Sequence, residues 1–383
     1  MSDKRYKRLG NYIELVQERN KGAHITNLMG VSIAKKFIPS IANIIGTDLS
    51  NYRIVHPGNF AFCPVTSRNG EKITIARYKG NEECIISQAY LPFRVIDENE
   101  LDPDYLMMWV MRSEFDRYAR FHSHGSVREL FSWEEMCNVY LPIPSIEEQR
   151  KIVAEYQAVE QRIENNNRLI KALEDTAQAI YHHTFVENID PENLPEGWRW
   201  GNVAEFCKKM TSGGTPDRSE NLYWNKNDYR WLKTGEVHNN VVLDTEEYIS
   251  QAGLDNSSAK LIPKGSITVA MYCANGVTGG QVAYLNCETT TNQACCNIVC
   301  KSKLDASYLF FYFMNRQEEI KRLANGAAQA NLSQKIIAEQ KILLFNDDSI
   351  KSRFEGILNN IIVLYQEIDI LDRIQNILIS KLS

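Results

Sequence analysis

The sequence predicts an α+β protein. Two similar mixed α/β globules, residues 1–144 and 191–345, are separated by two long helical segments, 145–190 (with its linker) and 346–383, that form an antiparallel coiled coil with pseudo-twofold symmetry. Three observations predict this. The chain repeats itself at long range; each half carries short β-like runs followed by a helical block; and each half ends in a segment with a 3.5-residue apolar period.

The repeat rests on five matches in the same order. His56-Pro-Gly-Asn-Phe60 answers to Pro263-Lys-Gly-Ser-Ile267, and Ile75-Ala-Arg77 to Val282-Ala-Tyr284. Ser87-Gln-Ala89 answers to Asn292-Gln-Ala294, and Leu101-Asp-Pro-Asp-Tyr-Leu106 to Leu304-Asp-Ala-Ser-Tyr-Leu309. Gly125-Ser-Val-Arg128 with Phe131-Ser132 answers to Gly326-Ala-Ala-Gln329 with Leu332-Ser333. The offset drifts from 207 through 205 and 203 to 201, as small loop deletions produce.

The first long helix starts at Ser145, which with Glu148 forms an S-x-x-E capping box; Pro142 and Pro144 block an earlier start. Its seam is Ile152, Tyr156, Val159, Ile163, Asn166, Ile170, Leu173, Ala177 and Ile180. The second seam is Phe354, Ile357, Ile361, Leu364, Ile368, Leu371, Gln375, Leu378 and Leu382. Neither helix has a mate in its own neighbourhood, so the simplest solution pairs them with each other. An unbroken helix over 146–187 extends about 63 Å. Asn166 and Gln375 either fix the register of the seam or are tolerated near solvent. Gly356 weakens its helix by about 1 kcal/mol relative to alanine. Two similar modules on a rigid spacer suit a long periodic ligand such as duplex DNA.

The composition excludes several classes. At 383 residues the chain holds two or three domains. The longest apolar run, Tyr308–Met314, is far below the roughly 18 residues a membrane helix needs. The first residues have no apolar segment behind them, so no secretion signal is expected. Nine cysteines without a CxxC pair suit a reduced, cytoplasmic protein. The net charge of −5 is uneven: residues 1–80 carry 13 Lys+Arg against 5 Asp+Glu, and residues 81–144 carry 5 against 12. A basic block inside an acidic chain either meets a polyanion or cancels against its acidic neighbour.

Catalytic motifs are missing. No Pro-Pro pair exists to build the loop an amino-methyltransferase needs, and no Gly-Lys dipeptide exists to build a P-loop. Glu339-Gln-Lys341 reads as a surface charge pair on a helix. Cys295, Cys296 and Cys300 alternate with apolar residues, the pattern of buried strand cysteines rather than of a zinc site. His122 with His124, and His182 with His183, lack a companion ligand cluster in sequence and read as solvated or hydrogen-bonded. No catalytic residue and no metal ligand is assigned.

The segment Leu141-Pro-Ile-Pro-Ser-Ile-Glu-Glu-Gln-Arg-Lys-Ile-Val153 resembles the LP-x-P-x-x-EQ-x-x-IV junction of specificity subunits of type I restriction-modification enzymes. Thr211-Ser-Gly-Gly-Thr-Pro216, Tyr223-Trp224 and Trp231-Leu-Lys-Thr-Gly-Glu236 are similar to the opening of a target-recognition domain in that family, and Leu194-Pro-Glu-Gly-Trp198 to its lead-in. The resemblance covers essentially the whole chain. Two departures stand out: the first domain has Gln17–Gly22 in place of an SGGTP-like loop, and the second exits through Leu343-Leu-Phe-Asn-Asp347 without prolines or an EQ pair.

The resemblance implies a non-catalytic DNA-recognition subunit whose residues 1–144 and 191–345 are two target-recognition domains. Each reads one half of a split asymmetric target in double-stranded DNA. The long helices bind two methyltransferase subunits and so direct N6-adenine methylation and restriction. Restriction/translocase subunits join the full complex, and no membrane is involved. This chain would bind no cofactor; S-adenosylmethionine belongs to the methyltransferase, ATP and Mg to the motor. The partner could also be a fused methyltransferase-nuclease, and a free-standing DNA-binding regulator or coiled-coil adaptor is the reading from another class.

Phosphate binding favours Lys, Arg and small turn residues, whereas base reading favours Arg, Asn and Gln. On that basis the first domain's DNA contacts are expected at Lys35, Lys36, Arg68, Asn69, Lys72 and Arg128. The second domain's are expected at Ser212, Gly213, Gly214, Thr215, Lys233, Tyr272, Asn275, Thr278 and Gln329. Any single lysine among them could equally be a solvated surface charge, and Asn292-Gln293 a buried turn network.

Overall fold

The computed structural model describes residues 6–40, 46–67, 70, 72–124, 129–272, 279–324 and 331–382. It divides into two compact units, Met1–Arg162 with Leu371–Ser383, and Ile163–Ile370. The division runs through both long helices. The physical reason is that each end of a helix is built into the core of a globule.

In the first unit, the strands Ile13–Leu15, Leu91–Val95, Phe60–Phe62 and Ile75–Arg77 lie side by side in that order, all antiparallel. In the second, Cys207–Ser212, Cys295–Cys300, Ile267–Ala270 and Val282–Leu285 repeat that order and sense, and Asn240–Val242 adds a parallel fifth strand. Phe60 and Ile267 stand at the strand starts that the 207-residue offset relates. In both, a two-stranded ribbon closes the globule beneath its long helix: Tyr6–Arg8 with Tyr140–Pro142, and Arg199–Asn202 with Lys341–Leu344.

The helical blocks also correspond. The first unit has α1 (Pro103–Val110), α2 (Ser113–Phe121) and α3 (Trp133–Cys137), then the long α4 (Ile146–His182). The second has α5 (Gln251–Asp255), an unbroken α6 (Lys303–Arg322), α7 (Gln334–Ala338) and the long α8 (Asp348–Ser380). Asp102 caps α1 by accepting from the Asp104 and Tyr105 amides, with Pro103 at the first helical position. Ser302 caps α6 by accepting from the Asp305 amide, three residues ahead of the place that matches Asp102. Phe60, Phe62, Phe93, Phe115 and Phe131 fill the first core, and Tyr308 with Phe310 to Phe313 fills the second. Each such side chain contributes about 1.5–3 kcal/mol by leaving water. Cys295, Cys296 and Cys300 are buried on a central strand, and burial pushes the Cys295 thiol up to about 11.

The EQ pair has a structural job. Gln149 is fully buried; its Oε1 accepts from the Asp102 amide at 2.9 Å, and its Nε2 donates to the Glu100 and Pro144 carbonyls at 3.0 and 2.9 Å. It ties the first turn of α4 to the cap of α1. The second unit, lacking that glutamine, places a buried ion pair at the equivalent point: Lys351 Nζ lies 2.7 Å from Asp305 Oδ1.

The two long helices pair within each unit. In the first, Val153 and Tyr156 of α4 share a core cluster with Leu378, Ile379 and Leu382. In the second, Ile170, Leu173, Ala177, Ile180 and Tyr181 share one with Phe354, Ile357, Leu358, Ile361, Leu364 and Ile368. The start of α4 thus packs with the end of α8, and its end with the start of α8, an antiparallel arrangement. All of the predicted seam positions, Val159, Ile163, Asn166, Leu371 and Gln375 included, are buried or half-buried. Asn166 is wholly buried, and neither atom of its amide has a hydrogen-bond partner. The α-helix ends at His182, and a π-helical turn, His183–Glu187, carries Phe185 into the aromatic core against Trp198, Tyr308, Phe345 and Phe354.

Candidate nucleic-acid interface

Lys35 and Lys36 sit in the turn joining the strands Met29–Val31 and Phe37–Pro39. Lys35 adopts φ 58°, which directs the two neighbouring side chains differently. Its ammonium is buried, 2.8 Å from Asp116 Oδ1 and 2.5 Å from the Val110 carbonyl, over the Phe115 ring. Asp116 also accepts from the Ile73 amide at 3.1 Å. Burial pulls the Lys35 ammonium below its ordinary value, against the opposing pull of Asp116. Lys35 is therefore an internal ion-pair partner rather than an open cation. Lys36 and Lys72 are exposed. Lys35 and Lys72 line one cavity of 460 Å³ together with Arg112, Glu114 and Asp116.

Arg68, Asn69 and Arg128 lie outside the described residues, as do Asn275, Thr278 and Gln329. The described chain beside them is organised alike in both units. An antiparallel bridge joins Val65 to Leu130 in the first, and one joins Tyr272 to Asn331 in the second. These are equivalent residues by the repeat offsets. Tyr272 itself is half-buried.

The glycine pair of the second unit is a packing device. A Cβ on Gly213 would overlap the backbone of Thr291 and Asn292, and one on Gly214 would overlap Ser258 and Ala259. The Gly214 amide donates to the Thr291 carbonyl at 2.8 Å, and its carbonyl accepts from Trp231 Nε1 at 2.9 Å. Both glycines are buried; Ser212 and Thr215 flank them half-buried, Ser212 3.5 Å from Gln334 Oε1 and Thr215 2.5 Å from Gln293 Oε1. Asn292 accepts from Thr234 Oγ1 at 2.8 Å, so the Asn292-Gln293 turn belongs to this network.

Lys233 is held by two carboxylates, Glu246 at 2.7 Å and Glu247 at 3.0 Å, which raise its ammonium above the ordinary value. Glu247 also pairs with Arg218, whose guanidinium lies 3.8 Å from the centroid of Trp224 and 4.6 Å from that of Trp231. The structure thus brings Lys35 to Lys72, and Ser212, Gly213, Gly214 and Thr215 to one another. Sequence reasoning missed Arg218 and Arg112; an arginine between two tryptophans and one at a helix boundary carry no spacing signal.

Comparison with known proteins matches each half of the repeat. The sequence model of the family described as "Type I restriction modification DNA specificity domain" matches residues 35–175 and again 195–346, more than half of the chain. The MjaIX type I restriction enzyme specificity subunit of Methanocaldococcus jannaschii is 22% identical over 311 residues, covering 75% of this chain and 70% of the relative. The HindI specificity subunit of Haemophilus influenzae is 21% identical over 350 residues, covering 70% and 75%. The crystal structure of a type I restriction-modification S subunit from M. genitalium superimposes with a TM-score of 0.57 at 13% identity, covering 99% of this chain and 95% of that one, a likeness of fold. With two family matches falling on two repeats of one sheet topology, the chain belongs to the family of type I restriction modification DNA specificity domains.

Proposed function

We propose that this chain, a specificity subunit of the type I restriction-modification kind, reads double-stranded DNA with each of its two domains, one half of a split asymmetric target per domain, and carries no catalysis of its own. The observation that supports this best is the repeat of one four-strand sheet order with diverged residues at matching places, as where Arg128 answers to Gln329. Two copies of one scaffold with different side chains at matching places suit two different half-sequences. Exposed Lys36 and Lys72 supply phosphate contacts, and the segments beside the Val65–Leu130 and Tyr272–Asn331 bridges supply base contacts.

The helices dock two methyltransferase subunits. Val363, Ile370 and Ile377 of α8, seven residues apart, are 59%, 57% and 52% exposed, a row of apolar side chains on one helix face. In this reading S-adenosylmethionine is bound by the methyltransferase, and ATP and Mg by restriction/translocase subunits. Co-expression with a methyltransferase partner followed by size exclusion and methylome sequencing tests the proposal. A complex with two methyltransferase copies and N6-methyladenine on opposite strands of a bipartite motif is the expected result. A chain that stays free of methyltransferase while binding its DNA site tightly contradicts it.

A further inference from the structure

We propose that His122, His124 and Glu135 form a binding site for one divalent transition-metal ion, of which Zn²⁺ suits the donors best. The three side chains each offer one ligand atom, and these atoms all lie within 4.8 Å of one another. His122 Nδ1 is 3.3 Å from Glu135 Oε2. Two ligands at about 2.0–2.1 Å from a tetrahedral Zn²⁺ stand roughly 3.3–3.4 Å apart, so this pair is already at the separation a shared ion sets. His124 is the exposed member, free to close the remaining distance by side-chain rotation. Two imidazoles and one carboxylate are a donor set that zinc takes, with the fourth position left to water.

The backbone that carries these groups is fixed. His122 ends α2, its amide donating to the Tyr118 carbonyl at 3.0 Å and its ring 4.2 Å from that of Tyr118. His124 and Leu130 exchange both backbone hydrogen bonds, at 3.1 and 3.0 Å. Between them in sequence, Ser123 Oγ donates to the Ala119 carbonyl at 2.6 Å and accepts from Thr66 Oγ1 at 2.9 Å. Glu135 lies in the first turn of α3, its amide donating to the Ser132 cap at 3.1 Å. The ligands therefore come from three differently anchored points: the end of α2, the bridge to Leu130, and α3. A bound ion would cross-link all three. In sequence, two of the ligands lie ahead of residues 125–128 and one behind them. The site stands on its own geometry and does not depend on how DNA is read.

The test is titration of the full-length, metal-free chain with Co²⁺ as a spectroscopic probe, followed by displacement with Zn²⁺. Visible d–d absorption should saturate at one ion per chain and disappear on adding Zn²⁺. His124→Ala, at an exposed position that leaves the core intact, and Glu135→Gln should each weaken binding at least about tenfold. His182→Ala/His183→Ala, on another element, should leave binding unchanged. Absence of a saturable Co²⁺ spectrum overturns the proposal, as does binding that survives His124→Ala or is lost in the His182/His183 variant.

Discussion

Neighbouring lysines in one turn should behave oppositely. Replacing Lys35 by Met leaves the Asp116 carboxylate and the Val110 carbonyl facing each other without the ammonium that joins them at 2.8 and 2.5 Å. Removing one partner of a buried pair costs about 3–5 kcal/mol. For a unit of this size, each kcal/mol shifts the midpoint by roughly 2–4 °C, so the first thermal transition should fall by roughly 6–20 °C. Lys36→Met removes an exposed side chain and should leave the transition within about ±0.5 kcal/mol of the original. In the assembled methyltransferase complex, Lys36→Met should instead lower DNA affinity and reduce the slope of log K against log salt by about 0.9, one phosphate contact. Calorimetry and salt-dependent DNA binding read the two effects separately. A Lys35→Met protein that melts like the parent but has lost a phosphate contact would refute the structural assignment of that lysine.

Three further outcomes follow from particular contacts. Gly214→Ala drives a Cβ into Ser258 and Ala259 and should destabilise the second unit by about 1–3 kcal/mol or more, read as a lowered second melting transition; undiminished stability would show the loop is not packed as described. Gly356 sits in α8 with open space around its Cβ position, so Gly356→Ala should stabilise by about 1 kcal/mol in the same assay. Burial raises the Glu174 carboxyl above its ordinary value, so the folded state holds that proton more tightly than the unfolded one. Stability is therefore lost as pH rises from the ordinary glutamate value, about 4.3, through the folded value. Glu174→Gln should raise the melting temperature at pH 7, and the gain should fade below about pH 4; a gain independent of pH would point elsewhere.

The coiled-coil seam was legible because a 3.5-residue period over many turns has few other causes, and the Ser145 start was legible from its prolines and capping pair. The repeat foretold equivalent sheets, although not the parallel fifth strand at Asn240–Val242, which pairs with a strand more than forty residues away. The interface was less legible. Lys35 and Lys36 are identical in sequence terms, and only the left-handed turn at φ 58° together with Asp116, 81 residues on, separates a core ion pair from a surface cation. Gly213 and Gly214 looked like a phosphate-approach loop because close backbone approach selects glycine whatever the approaching group; here it is the Thr291 strand for Gly213 and Ser258–Ala259 for Gly214. His122, His124 and Glu135 escaped notice as a cluster because the carboxylate comes from another helix.

Two copies of one scaffold should read two independent half-targets. Exchanging residues 195–346 for the corresponding domain of another family member, and sequencing the methylome of a host carrying the chimera with its methyltransferase, tests that most directly. One half of the methylated motif should change while the other half and the gap between them stay as they were. Alteration of both halves together, or methylation of a single uninterrupted sequence, would contradict it.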